Sequence, residues 1–150
     1  MFKNFFPNKI LSLTNKTINS LVILLVVVVI IGLTYSFLLS PPDYIQGDSV
    51  RIMYVHVPSS FIALGSFGFI GIASICNLIF KIKFMPLLAK SLAPIGCTFS
   101  LISIVTGSFW GKPTWGVWWV WDARLTSMTI LLFFYIAYIL TWKMLNNFDK

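Results

Sequence analysis

Four long runs without a charged side chain constrain the fold of this sequence more than any other feature. The runs cover residues 17–42, 52–80, 91–111 and 125–142. Because a membrane-spanning helix needs about 20 apolar residues, each run predicts one span. We place these transmembrane helices near 19–39, 60–80, 91–110 and 125–142. Only 10% of the residues are charged, whereas soluble domains carry about 25%. The predicted fold is an all-α integral membrane protein with one membrane domain over residues 1–150.

The basic residues are divided unequally between the two sides of the predicted bundle. The N-terminal segment, the second loop and the C-terminal tail contain eight lysines, and the first and third loops contain Arg51, Lys112 and Arg124. Since lysine and arginine accumulate in cytoplasmic loops, both termini are predicted to be cytoplasmic. The first loop (41–59) and the third loop (110–125) then lie together on the outer face.

The same residues argue against several classes of protein. A net charge of +7 could indicate nucleic-acid binding, but the basic residues are dispersed between apolar runs rather than clustered. No Asp, Glu, Lys, Arg or His lies in the middle of a predicted helix, where ion-coupled transporters keep such a residue. Cys76 and Cys97 form no C-x-x-C pair, and no nucleophile–base pair or carboxylate dyad is present. The chain is therefore not expected to be an enzyme.

The first apolar run resembles a secretory signal peptide in one respect, because Lys3, Lys9 and Lys16 precede it. Its apolar core is too long for a signal peptide, and the segment LLSPPDY that follows offers no small-residue cleavage site. We therefore expect the run to be retained as a transmembrane helix.

The segment 110-WGKPTWGVWWVWDARLT-126 contains five of the six tryptophans. An interfacial aromatic belt is one interpretation, although anchoring needs only one or two rings at each helix end. A flat platform for an apolar ligand with a polar rim, such as a porphyrin, is the other. Asp122 and Arg124 would cap or turn the chain into the fourth helix, while Arg124 could also bind a lipid phosphate or a ligand carboxylate.

His56 is the only histidine, and it lies in the other outer loop, just before the predicted second helix. A lone histidine is most often an ordinary interfacial side chain. Neutral imidazole is also a common axial ligand of haem iron, and a position on the same face as the tryptophans favours that role. Met53 is the only nearby alternative ligand.

These segments resemble a known family. The tryptophan-rich segment resembles the WWD signature of proteins that handle haem in cytochrome c maturation. Its WDARLT ending and the segment 53-MYVHVPSSF-61 resemble the haem exporter protein C (CcmC) family, over about residues 20–145. The residues that match the WWD loop are Trp110, Trp115, Trp118, Trp119, Trp121, Asp122 and Arg124.

The resemblance implies haem delivery at the bacterial inner membrane. Haem b would be held non-covalently on the periplasmic face, with His56 as an axial ligand of the iron, and passed to the haem chaperone CcmE. The ABC-type subunits CcmA and CcmB, the small protein CcmD and the lipid bilayer would be further partners. Apart from the resemblance, positive charge and a position on the outer face make Arg51, Lys112 and Arg124 candidates for pairing with the haem propionates.

One departure from the family pattern keeps two alternatives open. Family members have six helices and a second histidine in an outer loop, whereas this sequence predicts four helices and has one histidine. We therefore expect a C-terminally shortened or split member. The alternatives are a structural subunit of the maturation complex that does not bind haem, and a haem lyase, which the WDARLT ending disfavours.

Overall fold

The computed structural model describes residues 8–82 and 84–148, with side chains for residues 17–82 and 84–145. These residues form two compact units, the first ending at Pro41 and the second beginning at Pro42. Within the described ranges no β-strand forms, and four helices are long and apolar enough to span a membrane. The candidate spans are Thr17–Leu39, Asp48–Phe80, Met85–Trp115 and Ala123–Leu145. The predicted all-α architecture with four spans is confirmed.

The first unit is a single long helix. Helix α1 covers Asn8–Thr34 and continues into a π-helical turn, Tyr35–Leu39. The turn ends where the Ser40 N–H donates to the Tyr35 carbonyl at 2.9 Å, and Ser36 Oγ donates to the Gly32 carbonyl at 2.7 Å. The side chains of residues 17–35 are exposed, as expected for a helix whose apolar surface is available to lipid.

The second unit contains three long helices. A short 3-10 helix, Asp48–Ile52, leads directly into α2, Met53–Phe80. Helix α3 covers Met85–Trp115 and packs against both α2 and α4, which covers Ala123–Phe148. Helix α3 ends at Gly116, whose φ of 77° and N–H bond to the Lys112 carbonyl form a left-handed C-terminal cap that favours glycine.

Small residues line the contact between the helices of the second unit. Because their side chains are small, the helix backbones can approach closely, as in other membrane bundles. The buried small residues are Ser59, Ala63, Ser66 and Ala73 of α2 and Ala89, Ala93, Gly96, Ser100, Ser103, Gly107 and Gly111 of α3. Tyr135 of α4 is fully buried and donates to the Ala63 carbonyl at 2.7 Å. A Cβ atom at Gly96 would overlap the Tyr135 ring, so the Tyr135 side chain can reach α2 because residue 96 has no side chain.

Helices α2 and α3 are longer than the sequence analysis predicted. Helix α2 begins at Met53 rather than near residue 60, and α3 extends to Trp115 rather than ending near residue 110. Pro58 and Pro113 lie inside these helices. Each is tolerated because a proline near a helix end removes only one backbone hydrogen bond. His56, Trp110 and Trp115 are therefore helical residues, not loop residues.

The two ends of the second unit differ in charge. At one end α2 begins, α3 ends and α4 begins, and all described aspartates (Asp43, Asp48 and Asp122) lie there. We call this the tryptophan end, defined by Gln46, His56 and residues 110–124. The opposite end contains Lys81, Lys90 and Lys143, and we call it the lysine end.

Candidate functional site

A cavity of about 290 Å³ opens at the tryptophan end, between α2, α3 and the start of α4. Its volume is near the lower limit of ligand pockets, about 300 Å³. It brings together five of the predicted site residues: His56, Trp110, Trp115, Asp122 and Arg124. The remaining lining residues are Ser60, Leu64, Ser103, Ile104, Gly107, Leu125, Ser127 and Met128. The wall is mostly apolar, with a few polar groups that face a shared space.

His56 is held in one orientation by α3. Its Nδ1 lies 2.9 Å from the Ser103 carbonyl oxygen and 3.2 Å from Thr106 Oγ1. A carbonyl oxygen can only accept a hydrogen bond, so Nδ1 carries the proton of the neutral ring. Nε2 then keeps its lone pair and has no hydrogen-bond partner among the described residues. Histidines that bind metals usually show this arrangement, with the other ring N–H bound to a carbonyl or carboxylate.

The space for the His56 ring depends on Gly107. A Cβ atom at this position would lie 3.0 Å from His56 Cε1 and 3.4 Å from Nδ1, which is too close for a relaxed contact. On the other side, Ser60 Oγ donates to the His56 carbonyl at 2.9 Å and lies 2.6 Å from Ser103 Oγ. Because the Ser60 hydroxyl has a single proton, Ser103 donates in the second bond. Hydrogen bonds and close packing together fix the ring.

Trp110 stands next to the histidine. The centroids of the two rings are 5.8 Å apart with a 54° tilt, and Trp110 Nε1 donates to Gln46 Oε1 at 2.9 Å. Gln46 is positioned by a tight turn, in which Asp43 Oδ1 accepts the N–H groups of Ile45 and Gln46 at 2.9 and 2.8 Å. The hydrogen bonds from these two backbone N–H groups lower the pKa of the Asp43 carboxyl, and the bond from Gln46 has the larger effect. The turn closes at Gly47 with a φ of 58°, a value that favours glycine.

Asp122 and Arg124 act as a pair at the start of α4. Asp122 Oδ1 accepts the Leu125 N–H at 2.9 Å, the geometry of an N-cap. Its Oδ2 accepts from Arg124 Nη2 at 2.8 Å and Nε at 3.0 Å, and the guanidinium carbon lies 5.0 Å from the centroid of the Trp115 ring. The bond from the Leu125 N–H, followed by the Arg124 guanidinium, lowers the pKa of the Asp122 carboxyl. The capping interpretation is confirmed, and the carboxylate also orients Arg124.

The other three tryptophans of the motif lie outside the cavity lining. Trp118 and Trp121 are 53% and 79% exposed. Their contacts are with nearby rings: Phe109 with Trp118 and Trp119 with Trp121, each pair edge-on at 5.4 Å. Trp119 Nε1 is buried and has no acceptor within the described part of the chain. The five rings therefore do not form one continuous platform around His56.

The other candidate ligands lie away from the cavity. Arg51 pairs with Asp48 at 3.3 Å, and Lys112 Nζ donates to the Gly116 carbonyl at 2.8 Å. Met53 is not part of the lining either, so Arg124 is the one candidate cation that lines the cavity within the described residues. No group of three His, Cys, Asp or Glu side chains suited to a metal ion occurs in this part of the chain.

Comparison with known proteins assigns the chain to a family. The family model of Heme exporter protein C matches residues 1–150. The chain belongs to the Heme exporter protein C family. This confirms the resemblance stated from the sequence, and a family named as an exporter agrees with the prediction of a transport protein rather than an enzyme.

Three relatives show how much of the family's length is present. Heme exporter protein C of Escherichia coli K12 is 44% identical over 122 residues, which cover 81% of this chain and 50% of the relative. The Bradyrhizobium diazoefficiens protein is 38% identical over 141 residues, 94% of this chain and 53% of the relative. The Rhodobacter capsulatus protein is 37% identical over 143 residues, 95% of this chain and 59% of the relative. The chain spans about half the length of the curated relatives it matches.

In this member of the Heme exporter protein C family, sequence reasoning missed the residues that fix the predicted ligand. Ser103, Thr106 and Gly107 hold and accommodate His56, and Gln46 holds Trp110. In the sequence, the first three read as ordinary small residues of an apolar helix. The only available signal was that a histidine at a membrane surface needs a partner for its second ring nitrogen.

Proposed function

We propose that this chain takes part in haem export for cytochrome c maturation by holding haem at the tryptophan end, with His56 as an axial ligand of the iron. One observation carries the proposal: the Ser103 carbonyl binds the Nδ1 proton of His56, which leaves the Nε2 lone pair free at an apolar cavity lined by two tryptophans. Neutral imidazole in this state is the form that binds haem iron.

The other lining residues fit the remaining parts of the haem. Trp110 and Trp115 would cover the porphyrin face, and the exposed guanidinium of Arg124 would pair with a propionate. The volume of the cavity suits the region around the iron rather than the whole porphyrin. One edge of the haem would then extend toward Trp118 and Trp121, where a recipient could reach it. Non-covalent binding of haem b suits a molecule in transit.

The proposal includes an orientation and a set of partners. The N-terminal segment, the second loop and the tail contain eight lysines, against three basic residues in the first and third loops. This bias supports placing the termini in the cytoplasm and the tryptophan end at the periplasmic face of the inner membrane. Family membership supports delivery of the haem to CcmE, with CcmA, CcmB and CcmD as further subunits of the same system.

The decisive experiment is an absorbance titration of the protein with haem in nanodiscs. We expect the wild-type chain to shift the Soret band, and His56→Gly to bind haem at least about tenfold more weakly, a loss of about 1.4 kcal/mol. Added imidazole should restore the spectrum of the variant, because it can enter the space left by the side chain. Phe61→Ala is the matched control, since Phe61 is on the same helix, is 73% exposed and does not line the cavity.

The other possible outcomes of the titration lead to different conclusions about His56 or about haem binding by the chain. An unchanged spectrum in His56→Gly would remove His56 from the iron. A reduced affinity that imidazole does not restore would indicate damage to α2 rather than loss of a ligand. If the wild-type chain does not bind haem, the structural-subunit alternative becomes the better description.

A further inference from the structure

A second cavity, of about 230 Å³, lies at the lysine end between α3 and α4. Lys90, Ala93 and Pro94 of α3 form one wall, and Tyr138, Ile139, Trp142 and Lys143 of α4 form the other. None of these residues lines the cavity that contains His56. The haem proposal therefore assigns no role to this lysine-end cavity.

The described residues that line the lysine-end cavity include two lysines and no acidic side chain. Lys90 and Lys143 flank it from different helices, and neither forms an ion pair within the described residues. Lys90 Nζ instead lies 4.9 Å from the centroid of the Trp142 ring, which packs edge-on against Tyr138 at 6.5 Å. Two lysines that line one cavity, with no carboxylate among its described lining residues, attract an anion.

The position of the cavity is that of a membrane boundary. Along α4, the rise from Ala123 to Lys143 is about 30 Å, which equals the thickness of the hydrocarbon core of a bilayer. The lysines and Trp142 would thus lie at headgroup depth, opposite the tryptophan end. Ala93, Pro94 and Ile139 supply the aliphatic part of the lining.

We propose that the lysine-end cavity binds an anionic phospholipid of the surrounding bilayer. The lipid phosphate would lie between the ammonium groups of Lys90 and Lys143, and the upper part of an acyl chain would lie on Ala93, Pro94 and Ile139. Basic pockets between transmembrane helices select anionic headgroups in this way. A zwitterionic lipid binds less well because its own cation would meet the two lysines.

Native mass spectrometry of the full chain tests the site. The protein is released from nanodiscs that contain equal amounts of phosphatidylglycerol and phosphatidylcholine, and the retained lipids are counted. We expect wild type to retain phosphatidylglycerol preferentially, and Lys90→Gln and Lys143→Gln each to lower that preference about fivefold. Lys81→Gln is the matched control, because it removes one charge from the same end without touching the cavity. Excess inorganic phosphate should not displace the lipid.

Three results would overturn the proposal. Equal retention of both lipids by wild type would show that no selective site exists. An equal loss in Lys81→Gln would show a general effect of surface charge. Displacement by inorganic phosphate would show an anion site without a lipid. Circular dichroism of the variants, whose substituted side chains are solvent-accessible, verifies that each remains helical. Haem is absent from the assay, so its result is independent of the function proposed for the tryptophan end.

Discussion

The two halves of the tryptophan motif are built differently. The helical half, Trp110 and Trp115, belongs to α3 and lines the His56 cavity. Trp110 is tied to Gln46, and Trp115 lies beneath the Arg124 guanidinium. The loop half, defined as Trp118, Trp119 and Trp121, follows the end of α3 and makes contacts mainly with its own neighbours.

The difference shows that one residue type serves two purposes within a single short motif. In the helical half, Trp110 is fixed by a hydrogen bond to Gln46, which is distant in sequence. Trp115 packs against the Arg124 guanidinium at the start of α4, so these rings can hold a ligand in a defined position. The loop half presents exposed apolar surface, which in a membrane protein is suited to lipid, to the edge of a ligand or to a partner. Trp119 Nε1 is buried without an acceptor among the described residues, whereas most buried polar groups are hydrogen-bonded.

The largest expected effect separates the two halves directly. Trp110→Ala should weaken haem binding by about tenfold or more, because it removes a large apolar side chain from the cavity wall. Trp121→Ala should leave the affinity within about twofold, since this ring is 79% exposed and outside the lining. The measurement is the haem dissociation constant in nanodiscs for both variants. Equal losses in the two variants would show that the halves act as one platform.

A smaller effect should come from the support of His56. Thr106→Val removes one acceptor near Nδ1 and leaves the Ser103 carbonyl, so we expect haem affinity to fall by about threefold to tenfold. A less electron-rich imidazole should also make the midpoint potential of the bound haem more positive. Thr98→Val is the matched control, because its hydroxyl likewise donates to a carbonyl four residues earlier in α3 but is exposed. A Thr106→Val protein with an unchanged potential would contradict a positioning role.

The smallest effect is expected at the junction between the loop half and α4. The pKa of Asp122 is lowered in the folded chain, so its stabilisation of the α4 start is complete above the ordinary pKa of about 3.9. The stabilisation is lost as the pH falls through the lower folded value. At neutral pH, Asp122→Asn should keep the cap and lose the pairing with Arg124, while Asp122→Ala should lose both.

Amide hydrogen exchange at Leu125 measures this junction. Exchange should be fastest in Asp122→Ala, intermediate in Asp122→Asn and slowest in wild type, with haem affinity changed by about twofold. Asp43→Asn is the control, since Asp43 caps a separate turn and should not alter exchange at Leu125. If the alanine and wild-type rates were the same, the cap would have no role in holding Arg124.

The number and type of helices could be predicted because a bilayer imposes a minimum length on each apolar run. The helix ends are harder to predict, because prolines and charged residues often mark helix boundaries but are also accommodated within the terminal turns of a helix. Pro58 is accommodated inside α2, and Lys112 is accommodated in the last turn of α3, where it donates to the Gly116 carbonyl. Each error shifted a predicted site residue from a helix to a loop.

The candidate site was predictable in its chemical components but not in its arrangement. The single histidine and the cluster of five tryptophans are conspicuous in this sequence, and the structure brings His56, Trp110 and Trp115 together. The separation of the loop half depends on where α3 ends, and the number of tryptophans in the motif does not predict that position. The hydrogen bonds of His56 depend on the register of α2 against α3, since Ser103 and Thr106 meet it only in that register.

The hydrogen bond from Tyr135 to Ala63 has a consequence for how this bundle assembles. Tyr135 starts on α4, passes the face of α3 at Gly96 and ends on α2. Its hydrogen bond needs the Ala63 carbonyl of α2 and its ring lies against Gly96 of α3, so α4 can make both contacts only when α2 and α3 are side by side. Helices that enter a bilayer in the order of synthesis meet this requirement without rearrangement, because the last of these three to arrive is the one that closes the bundle.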